Sequence, residues 1–197
     1  KRRKMSKSLG NSPDPIELIN KYGADGVRSG MLFASPAGND LLFDESLCEQ
    51  GRKFSNKIWN AFQLINSWHE VDIDQNDVNQ HAVNWFENKF QEDLSKINNL
   101  FQDFKISDCL ITIYKLIWDD FCSLFLEMVK PKDKKIDTTT KRMTINFFEN
   151  LLIILHPFKP FVTEEIWQNL RDRDEKQSIM SCSWPDSMEN KIDVDLL

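Results

Sequence analysis

The sequence predicts a mainly α protein, a small helical unit at the N-terminal end followed by an antiparallel bundle of at least four helices. Three observations carry this reading. Apolar residues recur at three- and four-residue steps over long windows, as in Leu47, Gly51, Phe54, Ile58, Phe62, Ile65 and Trp68. Pro, Gly, Asn and Asp gather between these windows. No stretch alternates strands and helices in the manner of a nucleotide-binding parallel sheet. At 197 residues with 41% apolar side chains, the chain is long enough to bury a core.

The elements are taken in chain order. In "SPDPIELINKYG", Asp14 is placed to cap a helix, Pro15 suits its first position, Glu17 stands as in a capping box, and Gly23 can end it. A second short helix is expected over Asp25–Ala34, then the turn "SPAGND" and a short extended piece over Leu41–Phe43. The first long stripe starts at Asp44 and ends before the polar "DIDQNDVNQ". Trp85, Phe86, Phe90, Leu94, Ile97, Phe101 and Phe104 mark a second helix; Leu110, Ile113, Ile117, Phe121, Leu124 and Met128 mark a third. "KPKDKKIDTTTK" reads as a charged linker. Met143, Phe147, Leu151 and Leu155 mark a fourth helix that stops at the prolines of "HPFKP". Thr163 is expected to cap the next helix, with Glu164 and Glu165 in its first turn. Ile179–Cys182 reads as a short strand-like piece. The organisation expected is residues 1–43, 44–178 and 179–197.

Charge is unevenly spread. Lys1, Arg2, Arg3, Lys4 and Lys7 precede any acid, so residues 12–197 carry 20 of the 25 basic residues against all 31 acidic ones. Bulk charge therefore does not announce a nucleic-acid binder, and any RNA contact has to use local basic faces. The cysteines Cys48, Cys109, Cys122 and Cys182 form no C-x-x-C pair, and His69, His81 and His156 are scattered, so neither a metal site nor a Cys-His nucleophile is predicted. His156, between an apolar run and Pro157, reads as a hydrogen-bonded structural residue. The densest aliphatic run, Leu151–Leu155, is too short to span a bilayer. A reduced, cytoplasmic setting is expected.

Lys4-Met5-Ser6-Lys7-Ser8, followed by Leu9-Gly10-Asn11, resembles the KMSKS signature of class I aminoacyl-tRNA synthetases. The segment "YGADGVR" is similar to the stretch C-terminal to that signature, and "HPFKPFVTEEIWQ" resembles a block near the end of the anticodon-binding bundle in the branch handling valine, isoleucine and leucine. "GNDLLFDE" with "GRKFSNKIWNA" looks most like the valine members, Asn56, Lys57, Trp59 and Asn60 occupying the places of an Asn-Lys-x-Trp-Asn core. Such enzymes activate an amino acid by in-line attack of its carboxylate on the ATP α-phosphate, and charge builds on the departing pyrophosphate. The resemblance implies that Lys7 first, and Lys4 second, stabilise that charge, with Met5 packing and Ser6 and Ser8 orienting phosphates.

The same resemblance implies ATP with Mg2+ as substrate and tRNA(Val) as partner of a monomeric full-length enzyme. This chain would then be a fragment running from the loop through the anticodon-binding bundle. It would hold no cofactor tightly and would be inactive without the Rossmann and editing domains. Arg52, Lys53, Lys57 and Trp59 are the candidate tRNA-binding residues, the lysines and arginine as a phosphate-facing strip and the tryptophan as a stacking platform. A solvated basic face and a core aromatic remain the competing readings of those residues. An isoleucyl or leucyl member, or a non-catalytic helical interaction module, remains the competing reading of the chain.

Overall fold

A computed structural model describes residues 12–35, 43–174 and 176–186. The expected extended residues Leu41 and Leu42 lie outside them, as do residues 4–8, which carry the KMSKS-like string. Helix α1 spans Pro15–Tyr22 and α2 spans Ala24–Phe33. Asp14 caps α1 by accepting from the Ile16 N–H at 2.7 Å, and Pro15 sits in its first turn. Gly23 links the two helices at φ 76°, a backbone region costly for residues carrying a Cβ.

Asp44 caps α3, Glu45–Asn66, through the Ser46 N–H. Helix α4 covers Asp77–Gln102 and α5 Ile106–Lys115, which runs on as a π-helical segment, Leu116–Phe125, and a last turn, α6, Leu126–Val129. Helices α7, Thr138–Leu155, and α8, Pro160–Leu170, complete the bundle. One continuous core joins Phe54, Ile58 and Phe62 of α3, Phe86, Phe90 and Leu94 of α4, Phe121 and Phe125 of the π segment, and Phe147 and Phe148 of α7. Phe121 stacks on Phe148 at 5.5 Å, while Phe86 meets Phe121, Phe125 and Phe147 at 5.0–5.2 Å.

The fold corrects several expectations drawn from the sequence. Leu124 and Met128 were expected in the core but are 46% and 44% exposed, and the inward positions are Phe121, Cys122, Phe125, Leu126 and Val129. The cause is the π segment: its wider turn, with the Leu126 N–H reaching the Phe121 carbonyl, moves the apolar stripe on by a residue. Phe104 is 84% exposed because the chain leaves α4 there in a left-handed conformation, φ 57°.

The charged linker is partly ordered by pairing. β1, His69–Val71, runs parallel to β2, Lys135–Asp137, in the register His69 to Lys135. Asp137 then caps α7 through the Thr140 N–H at 2.7 Å. Helix α8 starts at Pro160, so Thr163 lies inside it and is buried rather than capping it. Ile179–Ser181 is a 3-10 turn rather than a strand, and the tail has more core material than expected: Ile179 is buried and Trp184 donates to Asn98 while packing edge-on against Phe101.

Candidate functional site

The predicted phosphate-contacting residues Lys4, Met5, Ser6, Lys7 and Ser8 lie outside the described residues. In sequence they stand before α1 and α2, which form a short helical platform. That platform is held on α3. Lys21 Nζ and Tyr22 Oη both donate to Glu45 Oε1, at 2.7 and 2.8 Å, and Arg52 donates to the Lys21 carbonyl at 2.7 Å.

The four predicted RNA-contacting residues all lie on α3, but each has work within the fold. Arg52 carries the contact just described, Lys53 pairs with Glu49 one turn back at 2.8 Å, and Lys57 lies over the Trp118 ring at 5.4 Å from its centroid. Trp59 is 36% exposed and leans on Phe62, so its ring presents one open face. Arg52, Asn56, Trp59, Asn60 and Gln63 share one exposed stripe of the helix, spaced by three, four and seven residues. Trp85, half-buried on α4, packs against the core.

Beside the upper end of that stripe lies an open cleft of about 650 Å³ between the α1–α2 corner, α3 and the start of α8. Asp25 lines this cleft and, with Arg28 and Lys159, which do not, joins α2 to the start of α8; the sequence reading assigned these three no role. Asp25, on α2 and 7% exposed, accepts from the Val162 N–H at 2.8 Å and lies 3.5 Å from that of Phe161. It thereby caps α8, whose own N-cap position, Lys159, supplies no side-chain acceptor. Arg28 donates to the Pro157 and Phe158 carbonyls at 3.1 and 3.4 Å. Lys159, wholly buried, donates to the Gly51 carbonyl at 2.8 Å, to Ser55 Oγ at 3.0 Å and to the Asp25 carbonyl at 3.3 Å.

Three acceptors and no donor around Lys159 Nζ suit an ammonium, which has three protons to give. Burial works against that charge and brings the pKa down from 10.5 to about 8, partly opposed by Asp25, so the group is still mainly protonated at neutral pH. Burial also pushes the Cys109 and Cys122 thiols up to about 12, which leaves neither suited to be a nucleophile.

His156 has the structural role expected of it. Its Nδ1 lies 2.7 Å from Thr163 Oγ1, whose own proton goes to the Lys159 carbonyl at 2.7 Å, so Nδ1 carries the hydrogen and donates. Burial holds this imidazole below its usual 6.5. A depressed histidine pKa means the folded state takes up the proton less readily than the unfolded one. Its stabilising contribution is therefore present above pH 6.5 and lost as pH falls through the folded pKa. Urea unfolding of His156→Gln at pH 7.5 and pH 5 is expected to show a smaller acid loss than the parent chain, and an equal loss would refute this.

A short helical platform, preceded in sequence by a run of basic residues and docked on a helix bundle, is the arrangement of class I tRNA synthetases. Residues 1–44 match the family described as tRNA synthetases class I (I, L, M and V), and residues 83–196 match the anticodon-binding domain of tRNA ligase. The second match spans more than half of the chain, and the chain belongs to that anticodon-binding family. It is 55% identical to a valine–tRNA ligase of Phocaeicola vulgatus over 90% of its residues, and 53% identical to that of Christiangramia forsetii over 100%. With the valine–tRNA ligase of Listeria monocytogenes it shares 39% identity over 98% of its residues. The chain spans about a fifth of each relative, 20% or 22% of its length. The fold is shared with the crystal structure of the ternary complex of Agrobacterium radiobacter K84 agnB2 LeuRS, tRNA and LeuAMS. That match has TM-score 0.67 and 22% identity, over 95% of this chain and 22% of the other.

Proposed function

We propose that this chain is the part of a valine–tRNA ligase that brings a pyrophosphate-stabilising loop and a tRNA-binding helix bundle together. The observation that carries the reading is the order and the docking: the KMSKS-like residues 4–8 stand a few residues before α1 in the sequence, and the α1–α2 platform is bonded to the bundle through Glu45, Arg52, Asp25 and Arg28. In the whole enzyme, ATP with Mg2+ and valine are the substrates of activation, and tRNA(Val) accepts the valyl group. Lys7 and Lys4 supply positive charge as the pyrophosphate departs, Ser6 and Ser8 orient it, and Met5 packs the loop. The division into residues 1–43, 44–178 and 179–197 separates the loop platform, the bundle and the tail. The enzyme works as a cytoplasmic monomer, and this part alone does not activate valine.

The exposed α3 stripe is the RNA-facing surface in this reading. Trp59 offers its open ring face to an unpaired base, and Asn56 and Asn60 offer amides beside it. Lys57 and Lys53 supply phosphate contacts, while Arg52 shapes the surface from its bond to Lys21. A filter-binding titration checks this. Trp59→Ala is expected to weaken tRNA(Val) binding by about 1–3 kcal/mol when measured well below its unfolding transition. Lys57→Ala is expected to reduce the salt dependence by about one counterion. Equal retention of all polyanions, insensitive to the anticodon sequence, would instead favour a general acidic-partner module.

A further inference from the structure

The contacts between α2 and the turn before α8 have no part in closing the bundle core, yet three polar side chains are committed to them. Asp25 reaches across from α2 and accepts from the Val162 N–H at 2.8 Å. One turn on, Arg28 crosses the same gap in the same direction and gives its guanidinium protons to the Pro157 and Phe158 carbonyls at 3.1 and 3.4 Å. Between them Lys159 points back, from the turn into α2 and α3, at 2.8–3.3 Å from its acceptors. Acceptor and donor from one helix meet donor and acceptor of one turn, so sliding or rotating α2 breaks the contacts together. A guanidinium and a carboxylate spaced three residues apart on a helix lie on one face, which makes the fit two-pointed rather than a hinge.

From this geometry we propose that Asp25 and Arg28 are positioning residues of the valine-activation reaction: a latch that fixes α1–α2, the platform preceded by residues 4–8, in one register on the bundle. The inference rests on the functional reading given above. A reacting geometry is intolerant of small displacements, an error near 1 Å costing on the order of a hundredfold in rate. Two neighbouring contacts therefore matter to catalysis without touching substrate. Valine itself has no reason to feel the latch, because its binding does not depend on where the phosphate-stabilising loop stands. The signature is a fall in kcat with KM for valine preserved.

The test uses the full-length ligase and valine-dependent ATP–pyrophosphate exchange, with amide exchange at Val162 followed in the same variants. Asp25→Ala and Arg28→Ala are each expected to lower kcat roughly ten- to hundredfold, with KM for valine within about twofold. Asp25→Asn keeps an oxygen that can accept from Val162 and is expected to restore kcat to within about threefold. Val162 exchange should speed up in Asp25→Ala and stay slow in Asp25→Asn. Arg28 is exposed, so its variant folds even where the buried Asp25→Ala does not. Unchanged kcat in Arg28→Ala, or an Asp25→Asn enzyme as impaired as Asp25→Ala despite slow Val162 exchange, overturns the latch. Absence of exchange activity in the unsubstituted enzyme refutes the functional reading instead, a result told apart because Val162 protection reports the contact without any turnover.

Discussion

Gly30→Ala is expected to lower the thermal unfolding midpoint by roughly 4–8 °C, a loss of about 2 kcal/mol for a chain of this size. Helices α2 and α3 approach so closely that a Cβ on Gly30 would stand 2.6 Å from the Cys48 amide nitrogen, 2.7 Å from its Cα and 2.8 Å from its sulfur. Two of those three atoms are backbone, which cannot rotate aside. The better helix propensity of alanine returns about 1 kcal/mol, so the overpacking must exceed that for the net effect to be a loss. Gly51→Ala presses on the same contact from the other side, against the Gly26 carbonyl, and should behave alike. Because both changes wedge one interface, the double variant should lose less than the sum of the singles. Calorimetry showing both single variants as stable as the parent would refute the close-packed reading.

Lys159→Met is expected to act in the opposite direction. The drop from 10.5 to about 8 corresponds to roughly 3 kcal/mol of cost for holding the ammonium in the fold at neutral pH. Methionine has similar length and no charge to desolvate, so the variant should be at least as stable at pH 7, by up to about that amount. The pH dependence gives the sharper check. With its folded pKa below its unfolded one, Lys159 binds fewer protons in the folded state between pH 8 and 10.5, so the parent gains stability as pH rises through that window. The methionine variant lacks this rise. Urea titrations of both chains at pH 7 and pH 10 would show the two stabilities converging. A variant that instead loses stability at pH 7 would mean that the three hydrogen bonds to Gly51, Ser55 and Asp25 outweigh the burial cost.

Much of the helical architecture was legible because it depends on neighbours in sequence. Asp14 and Asp44 cap the helices that start beside them, two prolines stop α7 where expected, and the α3 stripe from Gly51 to Trp68 is buried along its length. Where the reading failed, the deciding partner was distant or the local geometry unusual. A periodicity of 3.6 placed Leu124 and Met128 inward, and the π segment turned them out. The 130–142 linker looked unstructured because the strand that β2 pairs with is far back, at His69–Val71. Thr163 has the chemistry of a cap, but Pro160 begins the helix earlier and Asp25 does the capping from another element.

The candidate site divides in the same way. Residues 4–8, the "YGADGVR" segment and the Asn-Lys-x-Trp-Asn core were recognisable as strings, since a signature is a matter of residue order. That Arg52 is bound to a neighbouring carbonyl and Lys57 rests on Trp118, leaving Trp59 with the open face, was not readable from order. Nor was the role of Lys159, although a lysine between Phe158 and Pro160 in an apolar segment was the available hint. By itself the sequence determined the helical class, most of the helix ends and the family resemblance, because caps, prolines and apolar spacing act over a few residues. Only the tertiary structure decided the register of the stripe after Leu116, the trans-cap of α8 and the burial of an ammonium. The first is set by the wider turn of the π segment, and the other two depend on which backbone groups are left unpaired when segments more than a hundred residues apart meet.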